Sequence, residues 1–238
     1  TLQYRRSDTM KVEIVERFME YIKVTNENID KEHICCAISN NNDIQVSSKK
    51  EWLKEQFREG LVFLKSVERG KCFIEYLPAE NAWNPIAADG YMYIDCLWVA
   101  GSFKGHGYGA DLLDACMEDS KSKGKKGLCI LSSGKKKPFL SDPKFLRYKG
   151  FKVCDEADNG IQLWYLPFAA DAPLPEFKEC ARHPHIEEKG YFLYYTSQCP
   201  FNAKYVPIVE EVARENGVSF RAIHLQSKEE AQNAPTPV

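Results

Sequence analysis

Three glycines within five residues give this chain its clearest chemical signal. They lie in the run Lys104-Gly105-His106-Gly107-Tyr108-Gly109, between an apolar segment and an amphipathic one. Glycine lets the backbone approach an anion closely, and the first amide N–H groups of a helix have no partner within that helix. Such a loop favours a phosphate-bearing ligand. The alternative is a tight turn that only joins a strand to a helix.

The elements that position this loop are a strand before it and a helix after it. The strand is predicted over 91–99, because YMYIDCLWV is hydrophobic along nearly its whole length, which is typical of a strand covered on both faces. The helix is predicted to begin near Gly107 and to end at Gly124. The remaining predictions are helices with short strands over 10–66, a hairpin of 61–67 with 71–77, a strand over 127–131, a short helix over 142–148, and a strand pair of 150–153 with 161–168.

The residues around the loop resemble motif A of the GNAT N-acetyltransferases. The matching positions are Leu97-x-Val99, Phe103-Lys104, Gly107-x-Gly109 and Leu112-Leu113. The family places an Arg or Gln where this chain has Lys104, which keeps a positive charge but loses the planar fork. The resemblance covers roughly residues 10–168 and implies an α/β protein with the GNAT acyl-CoA N-acyltransferase fold, whose mixed central sheet is splayed.

The resemblance implies transfer of an acetyl group from acetyl-CoA to an amine acceptor, which attacks the thioester directly. The splay is expected between Tyr91–Val99 and Gly127–Leu131. The backbone next to the splay would bind the pantetheine arm and polarise the thioester carbonyl, and the loop amides would bind the pyrophosphate. No metal is expected. The implied cofactor-binding residues are Leu97, Trp98, Val99, Lys104, Gly105, His106, Gly107, Tyr108 and Gly109.

Asp95 is the first predicted catalytic residue. It lies two residues before Leu97, on the same predicted face of an apolar strand, where a carboxylate is costly to bury unless it is paired or hydrogen-bonded. With an amine acceptor, Asp95 would take up the proton of the attacking nitrogen through water. The alternative is an ion pair with a Lys or Arg on a neighbouring element. Glu75 is a second candidate with the same alternative.

Tyr148 is the predicted general acid. In the resembled family a tyrosine four residues before a Gly-Phe pair often protonates the departing thiolate. Leu146 stands at that position before Gly150-Phe151, and Tyr148 lies two residues further on, so that a helix would place it on a different side.

Residues 189–238 are predicted as a second, small unit. The chain over 1–168 forms the acetyltransferase domain in this interpretation, and the proline-rich residues 169–188 form a linker. The second unit has the strand–helix–strand order of a β-α-β unit and resembles the opening of a thioredoxin-like domain. An acetyltransferase with such an extension is similar to a bacterial subgroup of the family. Because another strand is expected where the sequence stops, we expect the unit to be incomplete at Val238.

Cys199 is a candidate reactive thiol in this unit. It precedes Pro200 at a predicted helix N-terminus, where the pKa of a thiol is lowered. Asn202 occupies the position of the second cysteine of a CxxC pair, so a self-contained dithiol cycle is not expected. A role in packing or partner contact is the alternative for Cys199. A thiol-linked redox or binding module and a non-catalytic acyl-CoA sensor are the alternative functions for the chain.

The amino-acid composition restricts the classes of binding partner that we expect. The 238 residues are 44% hydrophobic and 28% charged with a formal net charge of −2, so no global field favours nucleic acid, and no run is long enough to cross a bilayer. Neither nucleic acid nor a membrane is therefore expected as a partner, and a homodimer is left open. The nine scattered cysteines predict reduced thiols in the cytoplasm. The spacing Cys180-x-x-His183-x-His185 is interpreted as a loop without metal.

Overall fold

The computed structural model of the chain describes residues 19–37 and 40–237. The part of the sequence prediction that falls on 10–18 lies outside these residues. The strands are β1 (Tyr21–Val24), β2 (Val62–Ser66), β3 (Cys72–Pro78), β4 (Ile86–Ala87), β5 (Tyr91–Val99), β6 (Gly127–Ser133), β7 (Lys152–Glu156), β8 (Ile161–Pro167), β9 (Glu176–Phe177), β10 (Tyr191–Tyr195) and β11 (Phe220–His224). The helices are α1 (Ile44–Gln56), α2 (Tyr108–Ser122), α3 (Pro143–Tyr148), α4 (Glu179–Arg182), α5 (Pro200–Glu215) and α6 (Lys228–Gln232).

A mixed seven-stranded sheet organises the molecule, with the strand order β1-β2-β3-β5-β6-β8-β7. Within this sheet β5 and β6 are parallel and the other neighbouring strands are antiparallel. The predicted hairpin is present as β2 and β3, and the predicted closing strand pair as β7 and β8. A mixed sheet of this kind agrees with the predicted fold class.

Two hydrophobic cores cover the two faces of this sheet, because side chains alternate between the faces of a strand. On one face, Trp52 and Leu53 of α1 pack against a core that includes Phe63 and Phe73, whose rings stack with centroids 5.1 Å apart. On the other face, α2 packs through the predicted apolar stripe that includes Leu112. We call these faces the α1 side and the α2 side.

Residues 169–188, predicted as a linker, pack against the main sheet. β9 forms a short antiparallel pair with β4, and Phe177 is buried in the core on the α1 side. Arg182 of α4 forms a 2.7 Å ion pair with Asp155 of β7. The buried Phe177 ring and the Arg182–Asp155 ion pair attach this proline-rich segment to the surface of the main sheet.

The C-terminal residues form the predicted strand–helix–strand unit. β10 and β11 are parallel and pair along their whole length, with α5 between them in sequence. The unit contacts the rest of the chain through α5, which packs against α1, and through α6, where Gln232 donates a 2.7 Å hydrogen bond to the carbonyl of Ala82. Over the residues that the structure describes, no helix is long and apolar enough to span a membrane.

Candidate active site

The glycine loop follows β5 and leads directly into α2. Gly105 and Gly107 have φ values of +89° and +85°, a left-handed backbone that glycine adopts without strain. A Cβ placed on either glycine would meet no atom within 4 Å, so both border open space. The amide N–H groups of residues 105–109 donate to no acceptor in the described part of the chain, and α2 has no side-chain cap. This row of N–H groups can therefore bind an anion.

The two parallel strands of the sheet separate beside this loop. β5 and β6 pair only through Tyr91–Ile94 and Gly127–Ile130. Beyond Ile94, β5 keeps β3 on one side and has no strand partner on the other side among the described residues. The prediction that β5 is covered on both faces thus holds for its fully buried first half, while Asp95 to Val99 are only partly buried. The opening lies at the carboxyl ends of two parallel strands, where α/β sheets commonly bind ligands.

A β-bulge at Asp95 changes the faces of the residues that follow it. Glu75 pairs with Cys96 and Tyr76 pairs with Ile94, so Asp95 is the extra residue of β5. Leu97 consequently packs into the core on the α2 side, while Asp95 hydrogen-bonds Glu75 on the α1 side. The prediction that Asp95 and Leu97 share a face is wrong, because the bulge interrupts the period of two.

Asp95 belongs to a polar cluster on the α1 side. Lys49 Nζ of α1 lies 2.6 Å from Glu75 Oε1 of β3, and these side chains are only 2% and 1% exposed. Glu75 is also hydrogen-bonded to Asp95, and Gln198 Nε2 donates a hydrogen bond to Asp95 Oδ1. The cluster therefore places one ammonium group beside two carboxyl groups on the same side of the sheet.

The electrostatics of this cluster suit a proton acceptor. Burial raises the pKa of Asp95 well above its ordinary value, Glu75 raises it further, and Lys49 opposes the rise. Burial also acts to lower the pKa of Lys49, but the Glu75 and Asp95 carboxyls outweigh it, so that the pKa of Lys49 is raised. Lys49 is therefore a cation, while Asp95 is a stronger base than an ordinary aspartate.

Comparison with known proteins identifies the family. The model of the acetyltransferase (GNAT) family matches residues 26–135. A protein of Bacillus subtilis (strain 168) named uncharacterized N-acetyltransferase YoaP is 45% identical over 218 residues, which are 91% of this chain and 87% of that protein. The chain belongs to the GNAT family of acetyltransferases. The predicted fold class and enzyme class are thereby confirmed.

Two solved acetyltransferase structures are similar at lower identity, and the first of them is described as a GNAT family member. An acetyltransferase from Brucella melitensis in complex with acetyl-CoA is 18% identical and has a TM-score of 0.41, with 66% of this chain and 92% of that chain covered. The PaiA N-acetyltransferase from Thermoplasma acidophilum in complex with coenzyme A is 15% identical and has a TM-score of 0.44, with 63% of this chain and 99% of that chain covered.

The predicted cofactor-binding residues of this GNAT protein lie together. Leu97, Trp98 and Val99 form the open edge of β5, and a short 3₁₀ turn over 101–103 leads from it into the loop over 104–109. The side chains of Lys104 and His106 are exposed, and the His106 ring stacks on Tyr108 with centroids 5.6 Å apart. The edge and the loop thus border the same opening.

Tyr148 lies apart from the Asp95 cluster. It ends α3 and is 85% exposed, and no hydrogen bond joins it to that cluster in the part of the chain that the structure describes. Its helix packs on the α2 side, where Phe145 reaches within 3.9 Å of the position that a Cβ on Gly109 would take. Leu146, at the position where the family often has tyrosine, is fully buried in that core. The acid role of Tyr148 stays a prediction.

Cys199 lies at the N-terminus of α5 as predicted, but its pKa moves in the opposite direction. Burial raises the pKa of this thiol, and the nearby Asp95 carboxyl adds to the rise. The backbone N–H of Phe201 and the Lys49 ammonium lower the pKa, but they do not compensate. The expected lowering of the Cys199 pKa is therefore not found, because burial outweighs the favourable N–H groups, and a functional role of this thiol stays a prediction.

Sequence reasoning missed two members of the cluster. Lys49 falls on the buried stripe of α1 with Trp52, Leu53 and Gln56, and this helical spacing was a signal that it faces the core. Gln198 gave no local signal, because it contacts Asp95 from 103 residues away in sequence.

In the Cys180–His185 segment, Cys180 and His183 contact other protein groups. Cys180 Sγ donates to the carbonyl of Gln232 at 3.6 Å, and His183 Nδ1 lies 3.0 Å from a carboxylate oxygen of Asp158. The described residues contain no group of three or more His, Cys, Asp or Glu side chains arranged to hold a metal ion.

Proposed function

We propose that this GNAT acetyltransferase moves the acetyl group of acetyl-CoA to a primary amine, with Asp95 as the proton acceptor. The observation that carries the proposal is the row of free N–H groups at residues 105–109, which borders the opening between β5 and β6. This geometry supports binding of a pyrophosphate by the loop, with Lys104 as a nearby point charge. The open edge of β5 would bind the pantetheine arm as an added strand.

In the proposed reaction, the acetyl donor and the amine acceptor approach from opposite faces of the sheet. The loop supplies the donor from the α2 side, while Asp95 faces the α1 side, from which the amine would approach. The amine nitrogen forms a bond to the carbonyl carbon, the C–S bond breaks, and the electron pair leaves with the thiolate of CoA. Asp95 takes the proton that the nitrogen loses, directly or through water, and backbone N–H groups near Leu97–Val99 stabilise the oxyanion. Tyr148 is the predicted donor of a proton to the thiolate.

Substituting single glycines tests the loop. Gly107→Ala would put a methyl group into the space of the pyrophosphate, and we expect acetyl-CoA binding to weaken about tenfold or more, since misplaced N–H donors lose charge-assisted hydrogen bonds. Gly124→Ala is the matched control, because Gly124 ends the same helical segment with a φ of +67° and equally open surroundings. Both variants should lose about 1 kcal/mol of stability from the left-handed backbone.

Calorimetric titration with acetyl-CoA measures the binding. Failure of the unaltered protein to bind at millimolar concentration, or an equal loss in both variants, would overturn the proposed loop site. Release of free CoA thiol in the presence of a panel of primary amines then tests the transfer. Tight binding without thiol release from any amine would support the alternative of an acyl-CoA sensor.

For the C-terminal unit we propose a thioredoxin-like arrangement that serves packing rather than redox chemistry. The parallel strands β10 and β11, joined through α5 with Cys199 at its start, support the resemblance. The raised pKa of Cys199 argues against a reactive thiolate. All nine cysteines are free, which supports the proposal of a reducing, cytoplasmic location.

A further inference from the structure

The C-terminal unit reaches the polar cluster through one turn, which we call the 196–199 turn. Gln198 extends from it and donates a hydrogen bond from its side-chain amide to Asp95 Oδ1. Cys199 is half-buried and lies near Lys49 and Asp95. The turn thus lies on the α1 side of β5, the face from which the proposed amine would reach Asp95.

The 196–199 turn is held in place by hydrogen bonds to Thr196 and by the packing of α5. Its backbone is fixed by Asn202 Nδ2, which donates to the carbonyl of Thr196 at 3.0 Å, and by the Gln198 N–H, which donates to Thr196 Oγ1 at 3.2 Å. The Phe201 ring lies 6.5 Å from the ring of Trp98, measured between centroids, and α5 packs against α1. Gln198 is therefore presented to Asp95 by a turn with its own supports.

We propose that Gln198 is a positioning residue of the acetyltransferase site: its amide orients the Asp95 carboxyl, so that the C-terminal unit completes the site of the proton acceptor. The chemistry of this inference rests on the proposed function. An amide N–H donor stabilises a carboxylate more than a protonated carboxyl, so Gln198 makes the ionised form of Asp95 easier to reach. This effect opposes the effect of Glu75, which raises the pKa of Asp95.

Several other groups face Asp95 and contribute to its titration. Lys49 of α1 favours the carboxylate, whereas Glu75 of β3 opposes it. Three neutral groups with raised pKa values surround the same carboxyl, namely Tyr93 and Cys96 of β5 and Cys199 at the start of α5. Because their raised pKa values keep these three groups protonated at neutral pH, Gln198 is the neighbour whose substitution changes a direct hydrogen bond to Asp95 without changing a charge.

The experiment compares the unaltered chain with Gln198→Leu, Gln198→Glu and Gln232→Leu. Gln198→Leu removes the donor, and Gln198→Glu replaces it with a third carboxyl group in the cluster, on a side chain of nearly the same shape. Gln232→Leu is the matched control, since Gln232 also ties the C-terminal unit to the main body, at Ala82, without touching Asp95. The apparent pKa of Asp95 is measured by NMR of ¹³C-carboxyl-labelled aspartate, with the resonance assigned through Asp95→Asn.

We expect the pKa of Asp95 to rise in Gln198→Leu, to rise further in Gln198→Glu, and to stay unchanged in Gln232→Leu. We also expect kcat/KM at neutral pH to fall about tenfold or more in Gln198→Leu, with the acid limb of its pH profile moved to higher pH, since a hydrogen bond to a charged group is lost. An unchanged Asp95 pKa in both Gln198 variants, or a shifted pKa with unchanged kcat/KM, would overturn the inference. The NMR titration gives its answer even if no amine is acetylated, so failure of the proposed function is seen separately.

Discussion

The buried pair of Lys49 and Glu75 allows a quantitative prediction. Glu75→Gln keeps the shape of the side chain but removes the carboxylate from an ammonium group that is 2.6 Å away and almost inaccessible to water. Removing one partner of a buried ion pair costs about 3–5 kcal/mol, because the other charge stays buried without compensation. Asp95 faces the same ammonium, so it would take over part of the pairing. We therefore expect the lower end of that range, about 3 kcal/mol.

Urea unfolding of three variants measures this loss in the free energy of unfolding. Glu75→Gln is compared with Glu188→Gln, which removes one partner of an Arg221 pair at 2.8 Å whose side chains are 58% and 61% exposed. The exposed pair is expected to contribute less than about 1 kcal/mol. In the double variant Lys49→Met/Glu75→Leu, most of the stability should return, because apolar replacement of a buried pair is often neutral or stabilising.

Two results would refute this reasoning. A loss below about 1 kcal/mol in Glu75→Gln would mean that Lys49 is not desolvated, or that Asp95 replaces Glu75 completely. A double variant as unstable as Glu75→Gln would mean that packing around the glutamate, rather than the unpaired ammonium, accounts for the loss. Either result would remove the basis for assigning a fixed positive charge next to Asp95.

Two further predictions concern titration in the same region. Because the pKa of Asp95 is raised, the carboxyl stabilises the fold at low pH and this contribution is lost as the pH rises through the raised value. Asp95→Asn should therefore keep or increase the free energy of unfolding above neutral pH while kcat/KM falls about 10²–10⁴-fold, and full activity in this variant would rule out Asp95 as the base. Because the pKa of Cys199 is raised, iodoacetamide should modify it more slowly than a free cysteine at neutral pH, as followed by mass spectrometry of its peptide, and a faster reaction would contradict this.

The sequence predicts those elements that are determined by residues adjacent in the chain. The predicted bounds of β5, 91–99, are those of the structure, because a nearly continuous apolar run, broken by Asp95, lies between Gly90 and Gly101. The glycine loop was predictable for the same reason. The contacts of Asp95 were not, since Lys49 and Glu75 are 26 residues apart and Gln198 is 103 residues from Asp95. A β-bulge also cannot be seen in the sequence of a strand whose two faces are both apolar, because such a strand has no alternation of polar and apolar residues to interrupt.

The bulge at Asp95 links these observations into one arrangement. With unbroken alternation from Tyr93, Asp95 would still face the α1 side, but Leu97 and Val99 would face that side too and would leave the core beneath α2. The extra residue lets one strand present Leu97 and Val99 to the α2 side, the proposed donor side, and Asp95 to the α1 side, the proposed acceptor side. Each face then needs only one kind of chemistry: N–H groups for an anion at the glycine loop, and a supported carboxyl for a proton at the cluster. The proposed transfer between two ligands that approach from opposite faces depends on this division, and the opening between β5 and β6 lies between the two faces.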